Sequence, residues 1–99
     1  MKARPFREIE AEALAEMTAT ERAEFDAASA NAEARLKLAQ LVYDARTRAG
    51  LTQAELAARM GTRQNAISAI ENAAKAPSGI TLQRVAAAVG GNLTIAIAA

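Results

Sequence analysis

The sequence predicts an all-α fold: a bundle of short helices, with an N-terminal helical arm and a short C-terminal strand. Three observations predict it. Apolar residues recur at helical spacing between residues 36 and 89. Capping residues and glycines punctuate that stretch where short helices should start and stop. The segment after it, residues 93–98, alternates large and small side chains with period two.

Composition sets the limits. The chain has 99 residues and an apolar fraction of 52%, but 28 of those residues are alanine. Only 23 large apolar side chains remain, a thin core that favours association with another chain. With no His and no Cys, disulfides, thiolate or imidazole metal sites and Ser-His triads are excluded. The sequence predicts no enzyme, no metal and no cofactor. No apolar run is long enough to cross a membrane. Residues 1–6 lead into Glu8 and Glu10 rather than an apolar stretch, so no signal peptide is expected and the location is read as cytoplasmic. Charge is divided: residues 1–35 hold 8 acidic and 5 basic groups, whereas residues 36–99 hold 3 acidic and 7 basic. An acidic front, net −3, precedes a basic body, net +4, which suits two different partners.

Along the chain, the first element is helical. Phe6, Ile9, Ala13 and Met17 fall on one helical face, with Pro5 in its first turn. Thr18 and Glu21 fit a capping box that restarts a helix after Met17. Residues 21–35 are rich in Ala, Glu and Arg, with Phe25 as their one large apolar group, and no Gly or Pro separates them from Leu36 and its successors. Leu38, Leu41, Val42, Ala45 and Ala49 then form a buried stripe that Gly50 ends. Thr52 and Glu55 form a second capping box, opening a helix that turns Leu56, Ala57 and Met60 inward and closes at Gly61. Thr62 opens a third helix, with Ala66, Ile67 and Ile70 inward. Residues 72–77 are a loop, residues 81–89 a fourth helix with Leu82, Val85, Ala86 and Val89 inside, and Gly90-Gly91-Asn92 a break before the strand. The domains read as an arm over 1–35, a packed domain over 36–92 and a strand over 93–99.

Residues 52–70 carry the chemistry. Two short helices meet at Gly61, whose freedom at positive φ suits a sharp turn. Ala57 leaves room for the helices to cross, and Ile67 and Ile70 tie the second helix to the core. This is a helix-turn-helix, whose second helix can enter the DNA major groove. Gly50-Leu51-Thr52-Gln53-Ala54-Glu55-Leu56-Ala57 resembles the signature of the Xre/Cro–CI regulators. Ile67-Ser68-Ala69-Ile70-Glu71-Asn72, and Pro77-Ser78 followed by Thr81-Leu82, resemble two further segments of that family. The resemblance covers roughly residues 38–90 and implies a lambda-repressor-like bundle that binds double-stranded operator DNA. It implies that Gln53 holds a phosphate and that Thr62, Arg63, Gln64 and Asn65 form the exposed first turn of the recognition helix. Gln64, which can pair with both N6 and N7 of adenine, is the leading candidate for a base contact. Asn65 has the same amide chemistry, Arg63 suits guanine or phosphate, Ser68 lies one turn on, and Lys75 suits phosphate. Two positions depart from the pattern. Ala69 stands where many relatives carry a polar residue. Ala73 stands where they usually carry Gly, so either Asn72 takes the special conformation or the helix runs longer. Arg46, Arg48, Arg59 and Arg84 read as a solvated face, and Glu71 as a structural partner within the turn.

A single strand cannot stand alone in water. Pairing with the same strand of a second copy, with Leu93, Ile95 and Ile97 covering a joint core, gives a homodimer whose recognition helices fit successive major grooves about 34–36 Å apart on a palindromic operator. A strand after such a body, with an arm ahead of it, resembles HigA-type antitoxins of HigBA toxin–antitoxin systems. That resemblance implies repression of the protein's own operon and neutralisation of a RelE-like, mRNA-cleaving toxin. The acidic front suits a basic toxin, with Phe6, Ile9, Leu14, Met17 and Phe25 as apolar anchors. The alternatives are a stand-alone repressor of the same family and an interaction module that does not bind DNA.

Overall fold

A computed structural model of the chain describes residues 15–99. These residues form four helices: α1 Ala19–Arg48, α2 Gln53–Met60, α3 Gln64–Glu71 and α4 Gly79–Ala88. The chain divides between Asn31 and Ala32 into two units.

The first unit holds the start of α1. Thr18 Oγ1 accepts from the Glu21 amide at 3.1 Å, so the helix begins after Met17, where the sequence places it. Lacking Gly and Pro, it then continues without a break to Arg48. Met17 is half-buried and Phe25 exposed. Phe6, Ile9 and Leu14, the other expected anchors, lie outside the described residues.

The second unit holds the core. Val42, Leu51, Leu56, Ala57, Met60, Ile67, Ile70, Leu82 and Val85 pack as one cluster, with Leu38, Ala45, Ala88, Val89 and Leu93 along its edge. Val42, Leu56 and Ile67 are wholly enclosed, each contributing about 1.5–3 kcal/mol relative to exposure. Within the expected stripe of α1, Leu41 and Ala49 turn out to be exposed. Steps of four from Val42 lead to Leu38 and Arg46, so an arginine takes the inward position and Leu41 falls on the flank.

Each helix ends in the same way. After α1, α2, α3 and α4 the chain passes through a left-handed residue, at Gly50 (φ 71°), Gly61 (66°), Ala73 (59°) and Gly90 (76°). At each end the left-handed residue and its successor donate to carbonyls of the last turn. Examples are Gly61 N to Ala58 O at 3.2 Å and Thr62 N to Ala57 O at 2.9 Å. This is the Schellman arrangement, which satisfies carbonyls the helix itself leaves free. At α3 the expectation is corrected. Asn72 stays near helical geometry (φ −86°), and Ala73 itself adopts the left-handed conformation.

The helix starts also differ slightly from expectation. Thr62 is occupied in closing α2, so the N-cap of α3 is Arg63 rather than Thr62. The N-cap of α4 is Ser78, whose Oγ accepts from the Thr81 amide at 3.1 Å, so that helix starts earlier than residue 81. Two arginines expected to be merely solvated strap α2 to α4. Arg59 Nη1 donates to Ala88 O at 3.0 Å, and Arg84 Nη2 donates to Met60 O. Each brings a cation to the negative end of the other helix.

No strand forms among the described residues. Residues 93–98, expected as a strand, carry no regular secondary structure, and none of the described residues pairs with them in a ladder. Nor is any helix among the described residues long and apolar enough to cross a membrane.

Candidate nucleic-acid interface

Burial of Ile67 and Ile70 decides which side of α3 faces out. With those two side chains in the core, the 3.6-residue repeat turns Gln64 and Asn65 to solvent, and both are exposed. Arg63 is exposed too, and its side chain makes no capping bond. Thr62 is half-buried in the turn. Ser68 is half-buried, and its Oγ accepts from Asn72 Nδ2 at 3.3 Å. Ala69 beside it offers no polar group.

Thr62 shares a cavity of about 380 Å³ with Lys75, Ser78, Thr81 and Arg84, next to the start of α3. Lys75 is exposed at its rim. The loop carrying Lys75 is held by its own amide to Ala69 O at 3.3 Å and by the left-handed turn at Ala73. Arg35 secures that turn from α1, donating from Nε to Ala73 O at 3.1 Å.

Behind this outward face lies an ionic anchor that the reading of the sequence missed. Arg46 and Glu71 pair through two hydrogen bonds, Nε to Oε2 and Nη2 to Oε1, each 2.8 Å long. Their side chains are 13% and 5% exposed. The third guanidinium nitrogen, Nη1, donates to Leu51 O at 2.9 Å, and the guanidinium carbon lies 5.3 Å from the centre of the Tyr43 ring. Gln53, expected on a phosphate, turns its Nε2 toward Glu71 Oε1 at 3.4 Å. One carboxylate therefore joins α1, α2 and α3. The hydrogen bond to Glu71 raises the Arg46 pKa above its ordinary value, against the opposing effect of burial. Arg46 is thus no solvated arginine. The available signal was its spacing, four residues after Val42, on the inward side of α1. Glu71 is the structural partner the sequence suggests, although its reach extends well beyond its own turn.

The arrangement has a clear chemical capacity. Two amide side chains stand at the free N-terminal turn of a helix, each presenting a donor and an acceptor to one partner. Two exposed cations, Arg63 and Lys75, flank them. The paired Arg46 and Glu71 cancel within the protein and do not compete. Of the expected site residues, Thr62, Arg63, Gln64 and Asn65 are contiguous, and Lys75 reaches the cavity that Thr62 lines. Ser68 and Gln53 engage neighbours within the fold. Leu93, Ile95 and Ile97 belong to a separate surface, with Leu93 half-buried and the isoleucines exposed.

Residues 42–95, just over half of the chain, match the protein-family model described as "Helix-turn-helix". No curated protein and no solved structure gives a significant match.

Proposed function

The chain belongs to the helix-turn-helix family of Xre/Cro–CI type, whose members are DNA-binding regulators, and from that premise we propose that it reads an operator with the first turn of α3. The observation that carries this reading is the joint exposure of Arg63, Gln64 and Asn65 on a helix whose opposite side is locked into the core. Gln64 is placed to take adenine through N6 and N7, and Asn65 extends the same chemistry to a neighbouring base edge. Arg63 and Lys75 neutralise phosphates on either side, and Thr62 sets the approach. Gln53, half-buried at the start of α2 with its side-chain amide turned to Glu71, adds the backbone amide of a helix N-terminus to the phosphate contacts. Ser68 lies at the far end of the reading face. A homodimer places two such turns on a palindromic site, and a regulator of this kind works in the cytoplasm, where the DNA is.

The division of charge supports a second partner. The front segment, net −3 over residues 1–35, suits a basic protein surface, with Phe6, Ile9, Leu14, Met17 and Phe25 as anchors. In this reading the chain is an antitoxin that covers a RelE-like toxin and represses its own operon. The stand-alone repressor is the alternative.

Retardation of the DNA upstream of the gene tests the first part. Binding that is specific to that fragment and weakens as salt rises supports it, whereas equal binding to a scrambled fragment contradicts it. Co-expression with the adjacent gene tests the second part. Rescue of growth supports the antitoxin, and a toxic neighbour that stays toxic removes it.

A further inference from the structure

We propose that Arg35 is a positioning residue for DNA binding: through its hydrogen bond to Ala73 O it sets the turn that carries Lys75, and with it the phosphate contact of that lysine. This rests on the operator reading above and adds to it a residue that acts on DNA without touching it.

The turn after α3 is the least secure part of the outward face. Ala73 stands at φ 59°, a left-handed conformation in which a Cβ crowds the carbonyl oxygen that follows it. Beyond Ala73 the backbone ties are shared, since the amides of Ala74 and Lys75 both donate to Ala69 O, at 3.0 and 3.3 Å. Among the described residues, no backbone amide donates to Ala73 O. Its partner is Arg35 Nε, at 3.1 Å, reaching from α1 across 38 residues of sequence. Nothing along α1 diverts that side chain, because its helical neighbours Asn31, Ala32, Leu38 and Ala39 carry no carboxylate.

Holding Ala73 O fixes the plane of the peptide between Ala73 and Ala74. The Cα of Lys75 follows within about 7 Å of that of Ala73, so the direction of this one peptide decides where the lysine emerges. In the observed turn Lys75 is exposed at the rim of the cavity that Thr62 lines, beside the first turn of α3. A turn released from left-handed geometry swings the ammonium away from that position and from a phosphate flanking the bases that α3 reads. Arg35 thereby adds to binding through the backbone, and its contribution carries no sequence information of its own.

Two substitutions separate the hydrogen bond from the charge. Gln places its Nε2 as many bonds from Cα as Arg places Nε, so Arg35→Gln keeps a donor and removes the cation, whereas Arg35→Met removes both. Binding of the full chain to the upstream DNA and to a scrambled duplex is measured over a range of salt, below the thermal midpoint of every variant. Arg35→Met should weaken both DNAs at least about threefold and lower the salt slope by about one, as Lys75→Ala does. Arg35→Gln should retain the wild-type slope. Arg35→Met should cost nothing further in a Lys75→Ala chain, since the two changes remove the same contact. Arg35→Met with wild-type affinity and slope would leave Arg35 a strap within the fold and overturn the proposal. Arg35→Gln as weak as Arg35→Met, or losses that add in the double variant, would place the guanidinium itself on a phosphate and overturn it too. A wild-type chain that does not prefer its upstream DNA removes the operator reading alone, because the slopes on the scrambled duplex still decide the role of Arg35. A wild-type chain that binds neither duplex removes both.

Discussion

Ala73 carries a strain that its three counterparts avoid. Gly50, Gly61 and Gly90 end their helices at φ 71°, 66° and 76°, and only α3 uses a residue with a Cβ, at 59°. A left-handed alanine costs about 1–2 kcal/mol, and glycine's larger unfolded-state entropy offsets about 0.5–1 kcal/mol of the relief. Ala73→Gly should therefore stabilise the chain by about 0.5–1 kcal/mol, seen as a higher thermal midpoint. A lowered midpoint would show that the alanine methyl has a packing role. Gly61→Ala is the mirror experiment. A Cβ there meets nothing within 4 Å, so only the backbone term acts and the loss should be of similar size. Lys75 makes a prediction of another kind. Lys75→Ala should weaken all DNA sequences alike and reduce the salt slope by about one, since a phosphate contact carries no sequence information. A change confined to one sequence would assign Lys75 to a base instead.

At the level of elements, the Arg46–Glu71 pair decides whether α3 is held firmly. Removing one partner of an enclosed ion pair strands the other, at a cost of about 3–5 kcal/mol. Glu71→Ala should lower the urea midpoint sharply, and Arg46→Met with Glu71→Leu should recover most of the loss. Single variants as stable as the wild type would contradict the anchor. Because the Arg46 pKa is raised in the folded chain, its contribution is complete below the ordinary arginine value and is lost only as pH climbs through the raised one. From this source stability should be flat across neutral pH. The same elements differ in how far their sequence can be read. Thr52 and Glu55, Gly61, Ile67 and Ile70 signal their roles through local spacing, so α2, the turn and the outward side of α3 are legible from them. Arg46 is not, because its burial depends on a carboxylate 25 residues away. Ala73 hides its role because alanine signals a helix interior rather than a helix end. The period-two segment signals a strand by local alternation, yet no strand forms among the described residues, because alternation alone supplies no partner for the backbone groups of a ladder.

For the whole molecule, the uneven charge is the main clue to partners. The residues from 36 onward carry net +4, which favours approach to DNA, and the front segment carries net −3, which disfavours it. A basic partner that covers the front segment should therefore strengthen operator binding at low salt, and the gain should shrink as salt rises. Titration of operator DNA with and without the adjacent gene product checks this, and unchanged affinity would separate the two functions. The central claim is narrower, that the first turn of α3 reads bases. The most direct measurement is the affinity of Gln64→Ala for the upstream operator and for variants of it changed one base pair at a time. The account predicts a loss of about 1–3 kcal/mol on the native site and indifference at one base pair that the wild type discriminates. Equal affinity and an unaltered base preference would contradict it.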